Sequence, residues 1–167
     1  AIRRLVAAEL VFQIDGASEA EYIFKHALIM DAAYDSILRD DRRRRHGALA
    51  RILQENSGAS EMVAEHYRKA GEASQAADYW YRAAQHAVMK SANIEASNFC
   101  KQSASQLAML PETKENKRRL LAVLILDLQP TIFLLGYSSP EVAERAERAL
   151  VICRDVGSDD QLFRISF

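Results

Sequence analysis

The chain has 167 residues and a formal charge of −1, with 22 basic residues set against 23 acidic ones. That balance gives no general attraction to nucleic acid or to an anionic membrane. Apolar residues make up 49% of the sequence, enough for a core, while 6 glycines and 3 prolines are too few turn formers for a β-sandwich or a barrel.

Residues 2–8 (IRRLVAA) fit a short helix. Two β-favouring runs, residues 9–14 and 21–25, flank the Asp15-Gly16 turn signal and predict a hairpin, the sole strand candidate. From His26 onward the periodicity is helical. Leu28, Ile29, Ala32, Ala33, Ile37 and Leu38 predict one buried stripe. Asp40 and Asp41 restart a helix whose stripe is His46, Leu49, Ala50 and Leu53, and which ends near Gly58. Ser60 is the expected cap of the next helix, with Met62, Val63, His66 and Tyr67 inward and Gly71 as its stop. Helices over 73–90 and 93–110 follow, then Pro111. Thr113 opens a helix to about residue 135 that Pro130 is expected to kink or break. Ser139, Pro140 and Glu141 form a strong helix start, and Gly157 closes that helix before a last one opens at Asp159. Residues 120–135 are the most apolar stretch. They are interrupted by Asp127, Gln129 and Pro130 and fall short of the roughly 20 residues a membrane span needs, so they read as a buried helix pair.

The chain starts without Met and stops in mid-pattern, which suggests a piece of something longer. Its two ends carry apolar residues that need covering: Leu10, Phe12, Ile23 and Phe24 on the hairpin, and Leu162, Phe163 and Ile165 on the last helix. A dimer through these ends is expected. Cys100 and Cys153 are too few for a disulfide framework and read as buried, reduced thiols of a cytoplasmic protein.

A repeat search finds Tyr67, Gly71, Ala76, Trp80 and Ala83 spaced 4, 5, 4 and 3 apart. A helix ending at Tyr, a turn at Gly and then small–large–small on the next helix resembles the second half of a tetratricopeptide repeat. The small residues sit where helices approach closely, and Trp80 fills the space between them. Ala96, Cys100 and Ser103 or Ala104 echo the phrase, and Ala143, Ala146 and Ala149 do so more weakly. The expected fold is all-α: a tetratricopeptide-like α-solenoid of antiparallel helix pairs with a short N-terminal β-hairpin.

Residues 22–34 (YIFKHALIMDAAY), with Ile37, Leu38, Arg39, Arg43 and His46, are similar to the segment after the ATPase module in large bacterial signalling proteins. Many of those carry a class III adenylate/guanylate cyclase domain. Residues 91–96 (SANIEA) and 136–142 (GYSSPEV) look like the same family's repeat region. The resemblance implies a division into the end of a winged-helix-like module with its hairpin (1–25), connecting helices (26–56) and helical repeats (57–167). It also implies a regulatory, protein-interacting segment that is not itself an enzyme, in a parent that is a nucleotide cyclase or ATPase. Its partner would be another protein or neighbouring domains of the same chain.

No phosphate-binding loop, dinucleotide fingerprint or nucleophile elbow is present in the sequence, so no catalytic residue, cofactor or metal ligand is assigned. His26, His46, His66 and His86 recur every twenty residues but fall on different predicted helices. Metal-binding pairs on a helix want a spacing near four, so these read as unrelated packing residues. Arg42, Arg43, Arg44 and Arg45 form the strongest charge run. They are a possible contact for an anionic partner, or for DNA beside the hairpin wing, weighed against the solvated face of a helix. Tyr79 and Tyr81 flank Trp80, and at least one is expected to be exposed. Glu61, Glu65, Glu141, Glu144 and Glu147 read as helix-face acids supported by Arg neighbours.

Overall fold

The computed structural model describes residues 2–14, 21–56 and 58–166. The protein is mostly helical, 77% helix, with one small antiparallel sheet. The chain divides into two compact units, residues 1–42 and 43–167.

The first unit holds α1 (Ile2–Ala7), β1 (Val11–Ile14), β2 (Glu21–Phe24) and α2 (Ala27–Asp35). The predicted hairpin forms, with Val11 opposite Phe24 and Phe12 opposite Ile23. Its Asp15-Gly16 turn lies outside the described residues. Val11 is the buried strand residue, while Phe12, Ile23 and Phe24 are exposed. Lys25 closes the hairpin base by pairing with Glu9 at 2.9 Å. The buried stripe expected along α2 is not buried: Leu28 is 81% exposed and Leu38 75%. Within this unit α2 meets only a margin of β2, so the amphipathic pattern has no surface of its own unit to cover it.

The helix α3 (Arg39–Glu55) begins in the first unit and runs into the second, which also contains α4 (Ser60–Ala70), α5 (Ala73–Met89), α6 (Asn93–Leu107), α7 (Lys114–Leu135), α8 (Pro140–Val156) and α9 (Asp159–Ser166). From α4 onward each helix packs on the next in chain order, with lesser contacts from α5 to α7 and from α7 to α9. Short links favour this: Gly71 takes the left-handed conformation (φ +80°) that ends α4 just ahead of α5. Thr113 caps α7 by accepting the Asn116 amide, and Ser139 accepts from the Glu141 amide at the start of α8. The expected Ser60 cap is not made. Ala59 holds the N-cap position, Ser60 is already helical, and no side chain caps the end.

The core consists of three apolar clusters in sequence. In the first, Ala50 of α3, Val63, Ala64 and Tyr67 of α4, and Ala76, Trp80 and Ala83 of α5 pack together. In the second, Ala77 and Ala84, on the other face of α5, meet Cys100, Leu107 and Val123. In the third, Leu121, Leu124 and Leu128 of α7 meet Ala149, Cys153 and Ile165. The small residues along α5 let it be covered on two sides at once, with Phe99 reaching both of the first two clusters. Ile165 is therefore not an unfinished stripe but part of the third cluster. The side chain of Phe163 lies outside the described residues.

Pro130 does not break α7, which runs as one helix to Leu135. The ring is fully buried, and its neighbours Leu128 and Thr131 are buried with it. Packing of this segment outweighs the one backbone hydrogen bond that proline removes. No helix among the described residues is long and apolar enough to cross a membrane.

Candidate functional site

The residues expected to form the repeat contact come together. Tyr67, Ala76, Trp80 and Ala83 share one cluster, and Trp80, 8% exposed, stacks on Phe99 at 5.4 Å between ring centroids. Gly71 makes the turn beside them. Ala96 is buried too, but stands outside that cluster at the start of α6. Neither neighbour of Trp80 is exposed, contrary to expectation. Tyr79 is half-buried against Tyr67 with Arg82 over its ring, and Tyr81 packs on the second cluster.

The arginine run has internal work. Arg42 pairs with Asp35 at 2.8 Å and lies over the Tyr34 ring. Arg43 donates from Nε to the Ala70 carbonyl at 3.0 Å, placing a cation on the C-terminal end of α4. Its guanidinium fills the space where any side chain at Gly71 would have to go. Arg45 is exposed, and Arg44 stands between these engaged residues on the same helix.

Two of the four histidines meet, although sequence spacing treated them as unrelated. His46 of α3 and His66 of α4 face each other with their Nδ1 atoms 2.8 Å apart and ring centroids 5.0 Å apart. The ring planes lie 29° apart, and a hydrogen bond between the two nitrogens needs one as donor and the other as acceptor, which the tautomers decide. Burial holds the His66 pKa below its ordinary value, helped by Lys69 and opposed by Glu65. Among the described residues no three metal-capable side chains gather.

A cleft of about 440 Å³ lies over α7, walled by α6 and α8. Cys100, Lys101 and Ala104 come from α6, Val123, Leu124 and Asp127 from α7, and Glu141, Glu144, Arg145 and Arg148 from α8. Asp127 is only 6% exposed and pairs with Arg145. The same Arg145 nitrogen donates to Thr131 Oγ1 at 2.8 Å and reaches Ser97 Oγ at 3.4 Å, so one guanidinium ties α8 to both α7 and α6. Burial raises the Asp127 pKa, and Ser97 and Arg145 pull it back down. Asp127 Oδ1 nevertheless has no partner in hydrogen-bonding geometry. The Cys100 thiol, buried behind this pair, is pushed up to about 12, chiefly by burial and then by the Asp127 charge. It is therefore an unreactive thiol at neutral pH. Both cysteines are free and buried.

Of the acids on α4, Glu65 behaves as expected, bonding Arg68 and lying 3.5 Å from Lys69. Those on α8 do not: Arg145 turns away from Glu141 to Asp127. No protein-family model matches the chain, and no curated protein or solved structure matches it either.

Proposed function

We propose that this chain is a non-catalytic regulatory and protein-interaction segment of a larger bacterial signalling protein, built as a tetratricopeptide-like stack of helix pairs and working in the cytoplasm. The observation that carries the reading is the open cleft over α7. Its walls come from α6 and α8, the helices on either side of α7 in chain order, and its lining mixes apolar residues with charges of both signs. Stacked helix pairs present such grooves to polypeptide partners. Further support comes from the chain-order packing of α4 to α9 and from the Ala76–Trp80–Ala83 contact. The family resemblance of residues 22–34 supplies the signalling context and the cyclase or ATPase parent.

In this reading the work is mechanical. A partner seated between α6 and α8 changes their spacing, and the Arg145 bridge to Asp127, Thr131 and Ser97 resists that change. Occupancy is thereby converted into strain on α7 and its neighbours. DNA binding through Arg42, Arg43, Arg44 and Arg45 is the weaker alternative, because Arg42 and Arg43 already hold intramolecular partners.

The test is site-directed photo-crosslinking in the native cells. A crosslinking residue at Ala104, inside the cleft, should capture a defined protein, whereas one at the exposed Gln75 of α5 should not. Equal labelling at both positions, or none at Ala104, would refute the cleft as an interaction surface.

A further inference from the structure

The cleft-facing side of α8 carries a charge pattern that reads the same from both ends with the signs exchanged. Glu141, Glu144, Arg145 and Arg148 stand at i, i+3, i+4 and i+7, so they share one side of the helix. About the midpoint between Glu144 and Arg145, Glu141 maps onto Arg148 and Glu144 onto Arg145. All four line the same cleft, and Glu141, Glu144 and Arg148 are exposed. The buried side of the helix, with Val142, Ala149 and Cys153, points elsewhere. The spacing would allow pairs within the helix, yet Arg145 turns to Asp127, and Glu141, Glu144 and Arg148 enter no ion pair among the described residues.

We infer that the occupant of this cleft is a second copy of the chain, docked with α8 antiparallel to α8 across a two-fold axis. Glu141 of each copy then faces Arg148 of the other. The inference rests on the reading of the cleft as an interaction surface, and it names the partner. A two-fold contact needs a surface complementary to itself, with residue i meeting j and j meeting i, which is the property this stripe has. Parallel docking would set Glu against Glu and Arg against Arg, so the charges select the direction as well as the register.

Sedimentation velocity of the 167-residue chain over a concentration series tests this, at low and high salt. A reversible dimer that weakens as salt rises is expected. Glu141→Arg creates two like-charge contacts per dimer and should raise the dissociation constant about tenfold or more, as should Arg148→Glu. The double variant Glu141→Arg with Arg148→Glu reverses every pair and should restore association. Both sites are exposed, and circular dichroism checks that the helices persist. A monomer at all concentrations overturns the inference, as does a dimer indifferent to the single reversals, which would point to the chain ends. A double variant that stays dissociated overturns it as well. A monomeric chain whose Ala104 position still crosslinks another protein would remove the self-association alone and leave the interaction reading intact.

Discussion

Trp80 shows how a single side chain joins two helices to a third. It fills the space between Ala76 and Ala83, packs against α4 and stacks on Phe99 of α6. Trp80→Ala should cost about 3–5 kcal/mol, read as a shift in denaturant midpoint. Its Nε1 is buried without an acceptor, so Trp80→Phe loses no hydrogen bond and should cost clearly less than the alanine change. The His46–His66 pair gives a second prediction, for pH. The unfolded chain protonates His66 at its ordinary value of 6.5, while the folded chain does so only at lower pH. Between those points the unfolded state holds more protons, so the stability His66 provides is complete above 6.5 and is lost as pH falls below it. Denaturant midpoints should therefore drop from pH 7.5 to pH 5, and less steeply in His66→Phe. Trp80 was legible in the sequence because small–large–small spacing has a packing cause. The His46–His66 contact was not, because periodicity places residues on faces without saying which faces meet. Asp127 read only as a polar interruption of an apolar run, since its partner Arg145 lies on the next helix.

Among the elements, α4 and α5 depend most on one backbone conformation. Gly71 holds φ at +80°, where a side chain is strained, and a Cβ there would run into the Arg43 guanidinium. Gly71→Ala should cost about 1–3 kcal/mol and release the Arg43 contact with Ala70. Arg43→Ala in the same background should then add little, a non-additivity that a double-mutant cycle reads directly. The helix limits were mostly visible in advance, because Gly71, Pro111, Thr113 and Ser139 act locally. Two expectations failed for the same reason. Pro130 sits inside an unbroken α7, and the apolar stripe of α2 stays exposed. Tertiary packing decides both, covering one segment and leaving the other bare within its unit.

At the scale of the molecule the two units differ in what holds them. Among the described residues of 1–42 Val11 is the buried apolar one, whereas residues 43–167 contain three successive clusters. Amide exchange followed by mass spectrometry should show the hairpin and α2 exchanging well before α5, α6 and α7. Equal protection across both units would mean that the first is stabilised by something other than its own core.

Packing in chain order also bears on how the second unit is made. Where each helix finds its main partner in the segment just synthesised, few contacts require distant parts of the chain to meet, and the loop-closure penalty stays small. As the polypeptide leaves the ribosome, α4 and α5 can consolidate before α7 exists, and each later helix adds to a surface already formed. The exception is the Asp127 carboxylate. Until α8 supplies Arg145 it is a hydrated charge on a half-built apolar face, and its burial has to wait for its partner.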